Sequence, residues 1–195
     1  DYDKLIDPNG LGRLNPFLDR VVDSAYPMGS VFKVIVATAG LESGALTRNT
    51  TFTCEGLYHL GQTQFRCHAW DPVNRRSHGP IDLIKAIQVS CNIYFYQAGR
   101  KTGGPTLVEW AYGYGLGKPT GVDLSPERKG NVPTPVYPGE VINLSIGQGK
   151  LLATPLQVCR MITAVANGGK LLVARLRREM EPQEPDNVGF SSSTW

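Results

Sequence analysis

A serine and a lysine stand three residues apart in the segment Gly29-Ser30-Val31-Phe32-Lys33. On a helix this spacing puts the Ser30 hydroxyl and the Lys33 amine on one face, within hydrogen-bond reach. Ser30 follows a glycine where a helix is expected to begin, near free backbone N–H groups and the positive end of the helix dipole. That field and burial both disfavour a charged ammonium, so Lys33 is expected to be partly neutral at pH 7 and to act as the general base for Ser30.

The pattern Ser-x-x-Lys is common, and a serine cap beside an unrelated surface lysine is the simpler interpretation of those residues alone. Lys33, however, lies in an apolar segment, where a solvated lysine would be out of place. A second polar pair, Ser90 and Asn92, lies between two predicted helices, and on a non-helical connection both side chains can face one cavity. Ser90 is expected to relay the proton to a leaving amine, and Asn92 to hold a substrate carbonyl and to anchor Lys33.

Apolar runs and boundary residues predict the elements that position these groups. A buried helix is predicted from Ser30 to Glu42, with Gly44 just beyond its end. The region 50–80 is expected to be irregular, and Ile81, Leu83, Ile84 and Ile87 indicate a helix after Pro80. A further helix is predicted from about Asn92 to just before Gly99.

The second half of the chain has one strong local signal. Thr154-Pro155-Leu156-Gln157 is a capping box with proline at the first helical position, and it predicts a helix to about Ala166. A loop is predicted at 112–117 and a strand at 171–173. Helices dominate with strands at the margins, so the predicted fold class is α+β.

The overall composition favours one folded domain. A chain of 195 residues can bury a single core, and its net charge of +3 comes from scattered lysines and arginines. Because these residues form no patch, nucleic acid is not an expected partner. The longest apolar run is far shorter than the ~18 residues of a membrane helix, and the first residues have no signal-peptide pattern.

Together, the motifs resemble those of the penicillin-binding proteins. Similarity runs from about residue 20 to 175 and is carried by Tyr26-Pro27-Met28-Gly29-Ser30-Val31-Phe32-Lys33, Ser90-Cys91-Asn92 with Tyr94-Phe95-Tyr96, Asn143-Leu144-Ser145-Ile146-Gly147-Gln148-Gly149, and Ala153-Thr154-Pro155-Leu156-Gln157. The segments 47–51 and 121–133 are closer to the elongation-class, cell-shape members than to the division class. Met28 stands where the family usually has proline. The family's third motif, Lys-Thr-Gly on an inner strand, is expected beyond Trp195, and Lys101-Thr102-Gly103 is not expected to replace it.

The resemblance implies a penicillin-binding/serine β-lactamase-like transpeptidase fold, with helices packed on an antiparallel sheet whose last inner strands are missing. Residues 1–195 would be a partial domain without the N-terminal anchor or pedestal, soluble as given, and without the third-motif strand. A strand that supplies one oxyanion-hole donor is worth roughly 10²–10³ in rate, so this chain as given is expected to be inactive and to bind penicillin poorly.

The activity that the resemblance implies is D,D-transpeptidation of peptidoglycan. Ser30 would be acylated by a stem peptide or by a β-lactam, and a neighbouring stem's amine would then take the acyl group to form a cross-link. The implied partners are stem peptides, β-lactams and a membrane glycan polymerase of the elongation machinery. The implied location of the full-length protein is the periplasmic face of the inner membrane, and no cofactor is needed for catalysis. A serine β-lactamase-like hydrolase and a β-lactam sensor domain remain the alternatives.

Four residues between the two motifs have the chemistry of a metal site: Cys54, Cys67, His78 and Cys91. Three thiolates and an imidazole suit tetrahedral zinc, and some elongation-class relatives carry zinc here with acidic, His and Cys ligands. A Cys54–Cys67 disulfide is the alternative, which would leave His78 and Cys91 without a role. His59 and His68 are expected to be loop residues, and Cys159, on the capped helix, is expected in the core.

Overall fold

The computed structural model describes residues 2–10, 14–124, 126–177, 179 and 181–194. These residues form seven helices and three small antiparallel sheets, so the predicted α+β class is confirmed. The helices are α1 Tyr2–Ile6, α2 Lys33–Glu42, α3 Leu83–Gln88, α4 Asn92–Thr102, α5 Gly104–Gly113, α6 Pro138–Leu144 and α7 Pro155–Ala166. The strands are β1 Phe52–Cys54, β2 Leu57–Leu60, β3 Thr63–Arg66, β4 Gly79–Ile81, β5 Lys170–Leu171 and β6 Asp186–Asn187. No helix in these ranges is long and apolar enough to cross a bilayer.

Helix α2 is the centre of the core. A 3₁₀ turn, Gly29–Phe32, leads directly into it, and Phe32, Ile35 and Val36 are fully buried. A helix that is apolar on every side must be surrounded by other elements, and α2 packs against α3, α4 and α5. The helix ends where predicted, since Gly44 follows it with a φ of +70°.

The region 50–80 is more ordered than predicted. Strands β1 and β4 pair with Phe52 opposite Ile81, and β2 and β3 form a hairpin with Leu57 opposite Arg66. Ile81 therefore belongs to a strand and not to the helix after Pro80. Helix α3 begins only at Leu83, because the Asp82 carboxylate caps it by accepting from the Lys85 N–H at 2.8 Å.

Helix α4 runs past Gly99, where the prediction ended it. Gly99 is needed in the helix interior because a Cβ there would lie 1.8 Å from Ser145 Oγ. The missing side chain lets α6 and its following turn pack closely against α4. A loop was predicted at 112–117, but α5 continues to Gly113 before the chain turns.

The capping box of α7 is present as predicted. Thr154 Oγ1 accepts from the Gln157 N–H at 3.2 Å, and Gln157 Oε1 accepts from the Thr154 N–H at 2.8 Å. The helix ends at Ala166, but the predicted strand 171–173 is shorter, since β5 is only Lys170–Leu171 and pairs with β6. Cys159 is exposed, which corrects its predicted place in the core.

Candidate active site

Ser30 is exposed in the 3₁₀ turn before α2, and two glycines fix the turn that presents it. The Gly29 N–H donates to the Gly147 carbonyl at 2.9 Å. Gly147 has a φ of +68°, and a Cβ on it would lie 2.1 Å from the Gly29 oxygen. The Asn143–Gly149 segment therefore supports the backbone immediately before Ser30.

Lys33 is the first residue of α2 and is 3% exposed. Its Nζ lies 2.7 Å from the Ser90 carbonyl oxygen, 2.7 Å from Asn92 Oδ1 and 3.0 Å from Ser90 Oγ. The ring of Phe95 lies 5.5 Å from the same nitrogen. Burial lowers the pKa of Lys33 to about 8, although the nearby Cys67 and Cys91 oppose this shift.

Ser90 joins α3 to α4 in an unusual backbone conformation, with a φ of +52°. The Ser90 N–H donates to the Ile87 carbonyl at 3.1 Å, and the Cys91 N–H donates to the Ala86 carbonyl at 3.0 Å. These two bonds define a Schellman motif, in which the left-handed position is usually glycine. Placing serine there turns both its carbonyl and its hydroxyl toward Lys33.

Asn92 begins α4 and contacts two elements. Its Oδ1 accepts from Lys33, and its Nδ2 donates to the Arg66 carbonyl at 3.4 Å. The amide is thus oriented between the base and the end of β3. Asn92, like Ser90, remains partly exposed and can meet a ligand.

The four residues singled out from the sequence lie together, but their order differs from the prediction. Ser90 Oγ lies 2.9 Å from Ser30 Oγ. Among the hydrogen bonds of the described residues, Ser30 is therefore linked to Lys33 through the Ser90 hydroxyl and not directly. The result is a hydrogen-bonded chain of nucleophile, second serine and amine.

Lys33 Nζ donates to three acceptors, the Ser90 carbonyl, Asn92 Oδ1 and Ser90 Oγ, as an ammonium group does. Once the ammonium has lost a proton, the Ser90 carbonyl and Asn92 Oδ1, which can only accept, would keep the two remaining N–H bonds. The lone pair of the neutral amine would then face the Ser90 hydroxyl, whose oxygen lies 3.0 Å away. Ser90 Oγ, which here accepts from Lys33 and donates to Ser30 Oγ, would then donate to Lys33 and accept from Ser30. That reversed direction is the one a proton must take when Ser30 attacks a carbonyl.

Sequence reasoning missed two partners of this site, Phe95 and the Arg66 carbonyl. Phe95 lies beneath the amine, but an aromatic residue in an apolar helix gives no sign of that role. A backbone carbonyl has no sequence signal at all. Lys101-Thr102-Gly103 lies at the far end of α4, and Lys101 is nine residues after Asn92, which is about 14 Å along the helix.

The second cluster, formed by Cys54, Cys67, His78 and Cys91, lies directly behind the polar site. The four ligand atoms are all within 4.8 Å of one another, and the three cysteines are buried free thiols. Cys67 Sγ lies 3.9 Å from Cys91 Sγ and 3.5 Å from His78 Nδ1. The hydrogen bond between these two thiols lowers the pKa of Cys67 and raises the pKa of Cys91.

Two histidines stand outside this set. His59 lies exposed on β2 instead of in a loop. His68 is also exposed, with its Nδ1 3.9 Å from Cys67 Sγ and its ring 5.4 Å from that of His78. Cys54 and Cys67 are both free thiols in this structure, and their sulfurs belong to the group of four ligand atoms that lie within 4.8 Å of one another.

An α+β domain that links a helix-start serine to a buried lysine through a second serine has the arrangement of a serine acyltransferase. The sequence profile described as the penicillin binding protein transpeptidase domain matches residues 2–195, and the chain belongs to this family. The resemblance seen in the motifs is thereby confirmed.

Individual relatives agree with the family. The chain is 32% identical over a 216-residue alignment to the peptidoglycan D,D-transpeptidase MrdA of Escherichia coli K12, covering 100% of this chain and 33% of that protein. Penicillin-binding protein PBP2 of Helicobacter pylori, in complex with MreC, superposes with a TM-score of 0.87 at 32% identity, covering 99% of this chain and 36% of that one. A peptidoglycan synthase complex described as coordinating polymerization and crosslinking superposes with a TM-score of 0.82 at 33% identity, covering 98% and 34%. The chain thus spans about a third of the length of these relatives.

Proposed function

We propose that this chain is the nucleophile-bearing part of an elongation-type peptidoglycan D,D-transpeptidase, with Ser30 as the acylated residue. The observation that carries the proposal is the chain of contacts from Lys33 Nζ to Ser90 Oγ at 3.0 Å and from there to Ser30 Oγ at 2.9 Å. It is supported by relatives named as D,D-transpeptidases and as PBP2.

In the proposed reaction Ser30 Oγ attacks the carbonyl between the last two residues of a stem peptide. The Ser30 proton moves to Ser90, and the Ser90 proton moves to the Lys33 lone pair. Return of a proton along the same path to the leaving amine releases the terminal D-alanine and leaves an ester on Ser30. An amine of a second stem peptide then attacks this ester, Ser30 regains its proton, and a new amide bond forms.

Positioning and electrostatics are the contributions of the remaining groups. Asn92 keeps Lys33 in place and is the proposed contact for a substrate carbonyl. The Ser30 backbone N–H lies in the first turn of the 3₁₀ segment, where N–H groups have no partner within the helix, and it can stabilise the developing oxyanion.

Covalent labelling of the native-length protein with a fluorescent penicillin tests this function. The unmodified protein is expected to form a stable adduct on Ser30, while Ser30→Ala and Lys33→Ala abolish it. Ser43→Ala, at the other end of the same helix, should label normally. Absence of an adduct in the unmodified protein would refute the proposal.

The same experiment separates the alternatives. A hydrolase would release the penicillin product with steady turnover, whereas a transpeptidase keeps the adduct. A sensor domain would also keep it but would not join two stem peptides, so formation of a cross-linked peptide dimer is the decisive measurement.

We also propose that Cys54, Cys67, His78 and Cys91 bind zinc. Bond lengths of about 2.3 Å for Zn–S and about 2.0 Å for Zn–N give tetrahedral edges of about 3.8 Å between two sulfurs and about 3.5 Å between sulfur and nitrogen. The Cys67–Cys91 and Cys67–His78 distances, 3.9 and 3.5 Å, match these edges. Bound zinc would supply structural cross-linking of this region, with no step of the acyl transfer passing through it.

Metal analysis and thiol counting test the zinc site. Zinc is expected at one equivalent per chain, with the three buried thiols resistant to alkylation until a chelator is added. A metal-free protein with two fewer reactive thiols after denaturation would instead indicate the Cys54–Cys67 disulfide.

The setting of the native-length protein is part of the proposal. We infer that it acts on the outer face of the cytoplasmic membrane beside a membrane glycan polymerase, and its similarity to a peptidoglycan synthase complex supports this. Cross-linking of the tagged protein in intact cells should capture the polymerase. Recovery of the protein in the cytosol would contradict the proposed location.

A further inference from the structure

A cavity of about 450 Å³ is lined by residues 131–135 and by side chains of the segment 140–150, and the proposed acyl transfer does not use it. Its apolar wall comes from the segment after Asn131, with Val132, Pro133 and Pro135. Its polar wall comes from Asn143, Gln148 and Lys150. The two walls are held together because Asn131 Nδ2 donates to the Lys150 carbonyl at 2.6 Å.

Residues that line this cavity directly follow Gly147, which supports the backbone before Ser30. Gln148 follows Gly147, whose carbonyl accepts the Gly29 N–H at 2.9 Å. The Nε2 atom of Gln148 would lie 3.7 Å from a Cβ placed on Gly29. Gln148 therefore borders both the cavity and the turn that carries Ser30, so an extended ligand attached at Ser30 can reach the cavity past this side chain.

The two charged residues of the cavity, Glu140 and Lys150, differ in how firmly their side chains are held. Glu140 is held by the loop before α6, since its Oε2 accepts from the Val136 and Tyr137 N–H groups at 2.8 and 3.3 Å. Lys150 lies 3.5 Å from the other Glu140 oxygen, and its side chain is 78% exposed. An exposed pair of this length contributes little, so the Lys150 ammonium can exchange Glu140 for a ligand carboxylate at small cost.

The remaining lining suits a peptide. The amides of Asn143 and Gln148 each offer a donor and an acceptor, which is what a peptide main chain requires. Prolines and a valine opposite them provide a rigid apolar surface against which a short side chain can pack. A flat anion or a nucleotide would leave this apolar wall unused.

We propose that this cavity binds the acyl-donor peptide upstream of the attacked bond, with Lys150 contacting a carboxylate that the peptide carries and Asn143 and Gln148 contacting its main chain. The inference rests on the proposed function, because Ser30 acylation fixes which end of the peptide is anchored. Lys150 would then contribute to the choice of stem peptide without touching the reacting atoms.

Peptide binding to the native-length protein carrying Ser30→Ala tests this without turnover. The probes are a peptide ending in D-alanyl-D-alanine with a free upstream carboxylate and the same peptide with a carboxamide there. Calorimetry is expected to give about two- to fivefold tighter binding for the carboxylate form, as for one exposed ion pair. Adding Lys150→Gln should remove this preference, whereas Lys101→Gln, an exposed lysine on α4, should keep it.

Each outcome is informative. Equal binding of the two probes, or a preference that survives Lys150→Gln, overturns the inference. A carboxylate preference seen only with an amine-acceptor peptide that lacks the D-alanyl-D-alanine end also overturns it, because the cavity would then serve the acceptor. Penicillin labelling of the unmodified protein tests Ser30 separately, so a failure there with peptide binding intact rejects the proposed function and, with it, the assignment of the bound peptide as an acyl donor.

Discussion

Replacing Ser90 by glycine and by alanine should affect stability and activity differently. Both substitutions remove the hydroxyl that lies 2.9 Å from Ser30 Oγ and 3.0 Å from Lys33 Nζ. They differ in the backbone, because residue 90 has a φ of +52°, where a Cβ is unfavourable and glycine is not. Loss of the hydroxyl bonds is common to the two variants and cancels in their comparison.

The expected difference in the free energy of unfolding is about 1 kcal/mol in favour of Ser90→Gly, from the cost of a non-glycine residue in the left-handed region. For a cooperative unit of 150–250 residues this is roughly 2–4 °C in melting temperature. Thermal unfolding of the native-length protein with each substitution measures it. Ser43 is the matched control: its φ is −76°, so there alanine should be the more stable of the two.

Activity should not follow stability. If Ser90 carries the proton between Ser30 and Lys33, both variants should be acylated by penicillin more slowly by about 10²–10⁴. A glycine variant that acylates at the original rate would refute the relay. An alanine variant at least as stable as the glycine variant would refute the account of the backbone at position 90.

Three further predictions follow from the site. The acylation rate should rise with pH through about pH 8, because the lowered pKa of Lys33 makes the amine neutral above that value. Asn92→Asp should move the midpoint of the measured pH–rate profile upward, since a carboxylate 2.7 Å from Nζ stabilises the ammonium. An unmoved midpoint would exclude Lys33 as the titrating base. Removing metal from the Cys–His cluster with a chelator should lower both the melting temperature and the acylation rate, and re-addition of zinc should restore both; an unchanged protein would contradict the zinc site. Gly147→Ala should lower the free energy of unfolding in urea by about 3 kcal/mol or more and abolish penicillin labelling, because its Cβ would lie 2.1 Å from the Gly29 oxygen. Gly44→Ala, at a φ of +70° with nothing within 4 Å of the new Cβ, should lower it by only about 1 kcal/mol. Similar losses at both glycines would show that the close approach at Gly147 is unimportant.

Features set by neighbouring residues in the chain could be predicted from the sequence. The capping box at Thr154 and the end of α2 at Gly44 need only local hydrogen bonds and backbone preferences, and both are present. The grouping of Cys54, Cys67, His78 and Cys91 was also accessible, because residue type and a shared loop region restrict where such ligands can meet.

Features set by distant contacts could not. Gly99 resembles a helix terminator until the Ser145 side chain is placed against it, and only the tertiary structure shows that contact. The insertion of Ser90 between Ser30 and Lys33 depends on its left-handed backbone, and serine gives no sequence signal for that conformation. Cys159 was misplaced because the buried face of α7 includes the polar residues Gln157 and Arg160, which conceal the register of the helix.

Cys91 connects the two clusters through its position in the chain. Its N–H closes the Schellman motif of α3, and its sulfur accepts the Tyr94 N–H at 3.5 Å and so caps α4. The same sulfur is one of the four clustered ligand atoms. Holding it in place also holds the two residues next to Cys91 in the chain, Ser90 and Asn92, where they contact Lys33. A strained serine at position 90 is retained only if its surroundings fix it, and a metal-bound Cys91 would supply that constraint. The proposed zinc would therefore act on acylation through the geometry of the base and its relay, at a distance from the reacting carbonyl.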